Sequence, residues 1–320
     1  MSSRTPELRW FAALSLVAAC LLVTSRAAIV SGVVYDRRAE AVFGKQMCDA
    51  RGVCGETPDV ASPRTPYSTH EAHQLDEWQA YHGKLVASAQ AYAARAHEAP
   101  PLVFVGDSIT ESWVGTGVGK KSKRARGVPK VLSEFFAPRF QPLILAISGD
   151  QTQHVLWRLA NGELPRKLAE VPDAVFVVLI GTNNLGAGHT PNATARGVLA
   201  VVEALLRGTA ARIVLQNTLP RGDKKPNRIC PPRCDKHGQP LASWLPSVEA
   251  LNSRVAALVE GLEPPLRARV ELVDCGARFA GGVEGDVRTD LMPDSLHPNA
   301  QGHRILAECL LATRTLAAHR

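Results

Sequence analysis

The sequence lacks the patterns that mark several large classes of protein. It has no helix-turn-helix, RNA-binding or zinc-finger signature, so a nucleic-acid partner is not expected. It has no internal repeat and no second series of alternating strands and helices, which favours one main domain. Aromatic residues make up only 5% of the chain, although 45% of its 320 residues are hydrophobic, which is enough for one large core or two.

The sequence also has too few acidic residues to balance its basic ones, since its formal net charge is +7. Such an excess is compatible with an anionic partner. Much of it is local, because the stretch GKKSKRARG at 119–127 contains five basic residues among nine. Runs of this kind are more often solvated loops than binding sites, so we predict a solvated loop over residues 116–126.

Residues 1–27 have the three-part layout of a secretory signal. Two arginines precede an uncharged apolar run, and the small residues Ser25 and Ala27 follow it at the positions that a signal peptidase reads. The run, 10–24, has 15 residues and is shorter than the roughly 20 needed to span a bilayer. Cleavage and a secreted or lumenal protein are therefore predicted. The alternative is an uncleaved signal anchor, because apolar residues resume after Arg26, and a membrane is expected as a partner only in that case.

Six cysteines remain outside this signal, an even number in a compartment expected to be oxidising: Cys48, Cys54, Cys230, Cys234, Cys275 and Cys309. The close pairs 48/54 and 230/234 suggest local disulfides, which would make 275/309 the third, but the sequence alone leaves the connectivity open. The alternative of a partial metal site at 230–237 is disfavoured by its irregular spacing, so no metal is predicted. Asn192, in the sequon Asn-Ala-Thr, is a predicted glycosylation site if the chain is secreted.

Beyond an irregular segment at 28–67, residues 68–318 are predicted to form an α/β domain. A helix over 68–96 precedes apolar, β-branched strands at 102–105, 143–148, 174–180, 212–218 and 270–274. Helical stretches lie near 128–137, 151–162, 192–208, 246–261 and 299–317. Continuously apolar strands are typical of parallel sheets, and the alternation predicts a three-layer α/β/α, flavodoxin-like fold with a five-stranded, mostly parallel sheet. A polar insertion at about 221–245, long and rich in Pro and Gly, is expected to overhang an active site.

Polar residues follow the predicted strands, at the sheet edge where open α/β sheets bind ligands. Ser108 follows the first strand, and a hydroxyl there becomes a nucleophile when a histidine such as His297 takes its proton. Asp294 lies three residues before His297, close enough to orient the imidazole. An oxyanion needs preorganised donors, for which the candidates are the backbone N–H groups of Ser108 and Gly149 and the side-chain amide of Asn183. Asp107 and Asp150 are candidate supporting residues, with Asp107 bracing the nucleophile turn.

Simpler interpretations stay open for each of these residues taken alone. Ser108 is also a candidate helix N-cap, with Glu111 completing a capping box in the stretch SITE. Asn183 could cap the next turn, and Gly149 could be a turn residue. We interpret His154 and His303 as structural because they lie within predicted helices, while Trp113 and Trp157 are assigned either to the core or to a pocket wall. The four polar blocks together favour catalysis.

The stretches GDSIT, SGDQT, GTNN and DSLHP, in this order, resemble the four blocks of the SGNH (GDSL) hydrolases. AISGDQTQHVLWRL and VVLIGTNNLG are most similar to the catalytic subunits of the platelet-activating-factor acetylhydrolase type. The resemblance covers roughly residues 70–315; the 116–126 loop, the 221–245 insertion and the N-terminal signal fall outside the shared pattern.

This resemblance implies an SGNH-hydrolase fold with Ser108, Asp294 and His297 as the catalytic triad and Ser108, Gly149 and Asn183 as oxyanion donors. It implies a serine esterase that needs no cofactor, cleaves small acyl esters, foremost acetyl, through an acyl-enzyme, and could form a homodimer. The substrate would be a small-molecule, glycan or lipid ester. Acyl transfer to a glycan or lipid acceptor uses the same residues and stays open, as does a non-catalytic binding module on the same fold.

Overall fold

Five runs of β-branched and other apolar residues form a parallel sheet. The computed structural model describes residues 56–65, 72–95, 97–171, 173–222, 242–281 and 287–319. Its strands are, in chain order, β1 (Pro101–Gly106), β2 (Thr116–Gly117), β3 (Lys120–Lys121), β4 (Gln141–Ala146), β5 (Val175–Leu179), β6 (Arg212–Gln216) and β7 (Val270–Val273). The large sheet has the order β4-β1-β5-β6-β7 with every neighbouring pair parallel, while β2 and β3 form a separate antiparallel hairpin.

The helices pack on both faces of this sheet. They are α1 (Ala72–Ala94), α2 (Ser108–Glu111), α3 (Val128–Phe135), α4 (Thr152–Arg158), α5 (Arg166–Ala169), α6 (Thr182–Gly186), α7 (Pro191–Gly208), α8 (Leu245–Glu260), α9 (Pro264–Arg267), α10 (Ala300–Leu311) and α11 (Arg314–Ala317). Because successive side chains of a strand point to opposite faces, Val103 and Val105 join one core with α1, α4, α7 and α8, whereas Leu102 and Phe104 join another with α3 and α10. The result is three layers, α/β/α.

The predicted fold class is confirmed, and each of the five predicted strands lies within two residues of its observed bounds. Two helix predictions were wrong in extent. The single helix over 299–317 is divided, because Thr313 adopts an extended conformation and caps α11 through Leu316 N–H. The helix over 151–162 ends at Arg158 and continues as a wider turn over Leu159–Glu163, in which Gly162 has φ +112°. Only glycine adopts such a backbone readily.

Several sequence predictions fall on residues that the structure does not describe. These are the signal at 1–27, the cysteines Cys48, Cys54, Cys230 and Cys234, and most of the 221–245 insertion. Cys275 and Cys309 form a disulfide with a Cα–Cα distance of 5.8 Å, which ties the chain after β7 to α10. Asn192 is exposed in the first turn of α7, although the sequon's Thr194 is buried. Within the described ranges, no helix has the length and apolar character needed to cross a membrane.

Candidate active site

Ser108 lies at the first turn after the buried strand β1. At Gly106 an added Cβ would come within 2.4 Å of the Leu179 carbonyl oxygen, so only glycine allows the chain to turn here. Asp107 caps α2, and its Oδ1 accepts a hydrogen bond from Ile109 N–H at 3.0 Å. The interpretation of Ser108 as the N-cap, with Glu111 completing a capping box, is therefore wrong. The Ser108 hydroxyl is instead directed to a histidine.

The structure brings together Ser108, His297 and Asp294, although 189 positions separate the serine from the histidine. Ser108 Oγ lies 2.9 Å from His297 Nε2, and His297 Nδ1 lies 2.6 Å from Asp294 Oδ2. A carboxylate beside Nδ1 holds the proton there and leaves Nε2 as the acceptor for the hydroxyl proton. This is the arrangement that activates a serine nucleophile.

A strained turn places the Asp294 carboxylate under its histidine. Ser295 adopts φ +62°, which is uncommon for a residue with a side chain. The turn lets Asp294 Oδ1 accept from the backbone N–H groups of Leu296 and His297 at 3.1 and 2.7 Å. Burial acts to raise the pKa of Asp294, but the hydrogen bonds from His297 outweigh it and hold this pKa well below its usual range. The carboxylate therefore stays ionised at neutral pH.

The three predicted oxyanion donors follow neighbouring strands of the sheet. The Ser108 N–H opens α2 and, like other amides of a first turn, has no acceptor within the helix. Gly149, after β4, is exposed and has φ +86°. Asn183, in α6, donates from Nδ2 to Asp150 O at 2.9 Å, and its other acceptor among the described residues, Asp107 Oδ2, lies at the longer distance of 3.4 Å. A ligand oxygen can therefore compete with this longer contact.

Asp150 is the centre of a buried group of polar side chains, here called the Asp150 cluster and consisting of Arg64, Trp78, His82, Asp150, Arg158 and Glu163. Arg158 Nε donates to Asp150 Oδ2 at 2.7 Å, and its Nη1 donates to Glu163. Arg64 and Trp78 Nε1 donate to Asp150 Oδ1, and His82 contacts Glu163. Of these residues, the sequence pattern indicated only Asp150, although Arg158 lies in the stretch AISGDQTQHVLWRL that carried the resemblance.

The Asp150 cluster holds two strand ends of the site in place. Arg158 Nη2 donates to Gly106 O at 3.2 Å, at the end of β1 before the nucleophile turn. Arg64 Nη2 donates to Ser148 O at 2.5 Å, and it would lie 2.9 Å from a Cβ at position 149. Gly149 therefore meets two requirements, a positive φ and room for this guanidinium.

Residues 56–65 bring Arg64 to the site. Ser62 N–H donates to Gln153 O, and Thr152 Oγ1 donates to Pro58 O. His154 Nδ1 accepts from Gln151 N–H, so its Nε2 donates to Glu56 at 2.5 Å. Burial acts to raise the pKa of Glu56, but the hydrogen bond and charge interaction with His154 and the hydrogen bonds from Thr65 and Gln153 together outweigh it, so that this pKa is about 2. His154 thus fastens the N-terminal segment, a contact that the sequence did not indicate.

Glu111, the last residue of α2, joins this helix to the segment 116–126. This segment, here called the basic hairpin, contains β2 and β3. Its buried carboxylate accepts from Thr116 Oγ1, Val118 N–H and Gly119 N–H at 2.7 to 2.9 Å. It also accepts from Ser148 N–H at 2.7 Å and Ser148 Oγ at 2.6 Å. The predicted loop is therefore an ordered hairpin beside Gly149, and the sequence signal for Glu111 was its place in GDSITE.

Asp107 is fully buried below the nucleophile turn. Burial raises the pKa of its carboxyl to about 7, and the negative charge of Asp150 acts in the same direction. The hydrogen bond from Ile109 N–H and the positive charges of Arg124 and Arg221 oppose this shift. Asp107 therefore contacts the turn through Ile109 N–H, and a pKa of about 7 lets its charge change near neutral pH.

Both ends of the 221–245 insertion lie at the site. Arg221 is buried, donates from Nη1 to Thr182 O at 2.5 Å and stacks 4.3 Å from the ring centre of Trp244. Gly222 N–H donates to Ser295 O at 2.7 Å. Residues 223–241, which were expected to overhang the site, lie outside the described residues.

The remaining aromatic and histidine candidates pack in the core on the two faces of the sheet. His303 is buried, with Nε2 3.2 Å from Ile109 O and its ring edge-on to Trp113 at 4.6 Å. Trp113 packs in the core with Phe104, while Trp157 lies against Trp78 on the other face. In the part of the chain that the structure describes, no group of three or more His, Cys, Asp or Glu side chains is placed to hold a metal ion.

A serine at the carboxyl edge of a parallel sheet, hydrogen-bonded to a histidine that contacts a carboxylate, is compatible with acyl transfer. The model of the GDSL-like lipase/acylhydrolase family matches residues 104–305. The chain therefore belongs to this family, as the four sequence blocks suggested, and is a carboxylic ester hydrolase.

Individual relatives agree with this assignment. The chain is 29% identical over 239 residues to the alpha2 subunit of platelet-activating factor acetylhydrolase IB from Homo sapiens, covering 74% of this chain and 83% of that protein. It is 34% identical over 153 residues to the alpha1 subunit from Bos taurus, covering 48% of this chain and 54% of that protein. A solved structure from Streptococcus pneumonia, whose description names a platelet activating factor, has the same fold. Its TM-score is 0.52 at 19% identity, covering 74% of this chain and 95% of that one.

Proposed function

We propose that this chain hydrolyses small acyl esters, foremost acetyl esters, through an acyl-enzyme on Ser108. The observation that carries the proposal is the hydrogen-bonded series Ser108–His297–Asp294, with distances of 2.9 and 2.6 Å. In this series His297 is the general base and acid, and Asp294 fixes its tautomer. The secretion predicted from the N-terminal sequence is retained as part of the proposal.

Each step of the reaction uses one of these groups. His297 takes the hydroxyl proton as Ser108 Oγ attacks the ester carbonyl carbon, and the carbonyl oxygen becomes an oxyanion. Ser108 N–H, Gly149 N–H and the Asn183 amide donate to that oxygen. His297 then gives its proton to the leaving alkoxide as the C–O bond breaks. A water molecule, deprotonated by His297, attacks the acyl-enzyme, releases the carboxylic acid and restores the Ser108 hydroxyl.

The burial of the nucleophile favours a small acyl group. Ser108 is only 3% exposed, which leaves little room for a long acyl chain beside it. The names of the curated relatives, acetylhydrolases, point in the same direction.

The proposal is tested by removing the nucleophile. We expect Ser108→Ala to lower kcat/KM for 4-nitrophenyl acetate by about 10³-fold or more, since the remaining groups cannot form the acyl-enzyme. Ser133→Ala, which changes an exposed serine of α3, is the matched control and should keep full activity. Circular dichroism of both variants establishes that they are folded. Full activity of folded Ser108→Ala would refute the assignment.

Labelling identifies the nucleophile independently. A fluorophosphonate should modify Ser108 in the native protein, as located by mass spectrometry of the peptides, and should leave His297→Ala unlabelled because the hydroxyl then lacks its base. An adduct on another serine would contradict the mechanism. Product analysis in the presence of added alcohols shows whether the acyl group is released to water or transferred to an acceptor.

A further inference from the structure

The basic hairpin presents positive charge that the rest of the described chain does not neutralise. Its five basic side chains are Lys120, Lys121, Lys123, Arg124 and Arg126. Lys120 forms an ion pair with Glu77 at 2.6 Å. None of the other four has a carboxylate partner within 4.0 Å among the residues that the structure describes. Four of the five basic side chains of the hairpin therefore have no direct carboxylate partner among the described residues.

Arg124 differs from the other basic residues because its guanidinium is partly buried against the site. Its Nη2 donates to Ser148 Oγ at 2.6 Å, directly before Gly149. Its Nε is buried and has no hydrogen-bond acceptor among the described residues. A buried donor without an acceptor is destabilising, so this guanidinium is held in a place where an additional acceptor would stabilise it.

The acidic groups near Arg124 are already occupied. Glu111 is linked to it through the Ser148 hydroxyl, but its carboxylate is fully buried and accepts five hydrogen bonds. Asp150 is bound by Arg64 and Arg158. Arg64 thus has a direct carboxylate partner, whereas Arg124 has none among the described residues and reaches Glu111 only through the Ser148 hydroxyl.

Two glycines, Gly117 and Gly149, lie close to the contact between Arg124 and Ser148. At Gly117, an added Cβ would lie 3.1 Å from Arg124 Nη2 and 3.5 Å from Ser148 Oγ, so the glycine keeps the hairpin close without covering these atoms. Gly149, the neighbour of Ser148, is exposed. An ester bound at Ser108 with its oxyanion at the Gly149 N–H would therefore lie next to Ser148, the residue to which this guanidinium donates.

We propose that Arg124, with the lysines of the basic hairpin around it, binds an anionic oxygen group, a carboxylate or a phosphate, that the ester substrate carries near its scissile bond. The planar guanidinium matches both groups. Arg124 is thus a specificity-determining residue that favours acidic esters over neutral ones. This inference rests on the proposed function.

Matched aryl acetates test the preference. We expect the native protein to hydrolyse 3-acetoxybenzoate and 3-acetoxyphenyl phosphate with a kcat/KM about 10-fold above that for phenyl acetate, after correction for their spontaneous hydrolysis. The preference should fall as NaCl is raised, because exposed charges are screened. A preference for only one of the two acidic esters would identify that group, carboxylate or phosphate, as the one bound. Equal kcat/KM values for all three esters would overturn the proposal.

Substitution assigns the preference to one residue. Arg124→Met should bring the ratio of acidic to neutral ester hydrolysis close to 1, whereas Arg124→Lys should retain part of it. The ratio is the measured quantity because it cancels any general loss of activity from the Ser148 contact. Arg314→Met removes the same charge from an exposed position at the opposite end of the sheet and should leave the ratio unchanged. An unchanged ratio in Arg124→Met would overturn the proposal.

Binding without turnover separates this inference from the proposed function. Titration calorimetry of Ser108→Ala with 3-acetoxybenzoate should show binding that Arg124→Met weakens about 10-fold. If the native protein hydrolyses none of the esters but this difference is found, the proposed function fails and the anionic subsite stands. If the native protein hydrolyses phenyl acetate and the difference is absent, the subsite fails and the proposed function stands.

Discussion

The Asp150 cluster and the basic hairpin both contact the turn that carries Gly149, but they differ in how their charged side chains are paired and buried. In the cluster, Arg158 and the carboxylates of Asp150 and Glu163 are completely buried and bonded to one another. In the hairpin, most cations are exposed and have no carboxylate partner among the described residues. One arginine reaches Ser148 from each region, Arg64 at the carbonyl oxygen and Arg124 at the hydroxyl.

Physical chemistry explains the difference. A buried charge is tolerated only with a partner, because desolvation costs several kcal/mol per ion, whereas exposed cations are solvated and need none. Burial acts to lower the pKa of Arg158, but Glu163 and Asp150 outweigh it and hold this pKa above its usual range. The cluster therefore fixes the backbone around Gly149, and the hairpin keeps its charge available to a ligand.

The largest effect should come from breaking the cluster. Arg158→Met leaves Asp150 and Glu163 buried without their shared cation, so we expect a loss of about 3–5 kcal/mol in the free energy of unfolding, measured by urea denaturation. Lys120→Met, which breaks the exposed pair with Glu77 in the hairpin, is the control and should leave the unfolding midpoint unchanged. Equal effects of the two substitutions would show that the cluster is not the more stabilising region.

The sequence predicted what depends on short-range pattern. The five strands were found because each is a continuous apolar run, and Ser108, Gly149 and Asn183 were placed together because carboxyl ends of parallel strands share one edge. Apart from Asp150, the members of the cluster were missed because they come from segments with no common period. His82 and Glu163, for example, are 81 positions apart, and residues 56–65 have neither helical nor strand periodicity to indicate where Arg64 lies.

Glu111 shows why a local pattern can mislead. Its spacing from Ser108 fits a capping box, and nothing within SITE contradicts that interpretation. In the folded chain, two backbone N–H groups of the hairpin and the N–H of Ser148 compete for the same carboxylate. These donors outweigh the local cap because they would otherwise be buried without an acceptor, and Asp107 then caps the helix.

The pKa of Asp107 depends on charges in both regions, Asp150 in the cluster and Arg124 in the hairpin. Its titration should have the next largest effect on the free energy of unfolding. Its pKa is about 7 in the folded protein and about 3.9 when unfolded. Between these values the folded state binds the additional proton, so stability falls as pH rises toward 7. Asp107→Asn keeps an acceptor for Ile109 N–H but cannot titrate. Relative to this variant, the native protein should lose about 3 kcal/mol of unfolding free energy between pH 5 and pH 8.

Urea denaturation across this pH range measures the difference, and parallel curves for the native protein and Asp107→Asn would contradict it. Charged residues of both regions act on the pKa of Asp107 in opposite directions. Asp150 raises its pKa, whereas Arg124 and Arg221 lower it. Adding Arg124→Met to the native protein should therefore move the pH dependence to higher pH.

The smallest effect tests Glu111, where the basic hairpin meets the catalytic turn. In Glu111→Gln, the amide nitrogen can replace Oε1 and donate to the Thr116 hydroxyl, while the amide oxygen still accepts from Val118 N–H and Ser148 N–H. Of the four groups, Gly119 N–H then loses its acceptor. Glu111→Ala also removes the acceptor of Ser148 N–H, so that the backbone that carries the Gly149 N–H is no longer held in place. For 4-nitrophenyl acetate we expect kcat to fall about 10-fold in Glu111→Ala and within about 3-fold in Glu111→Gln, with KM nearly constant in both. A rise in KM without a fall in kcat would show that Glu111 does not act through the Ser148 N–H. Equal losses of kcat in the two variants would show the same.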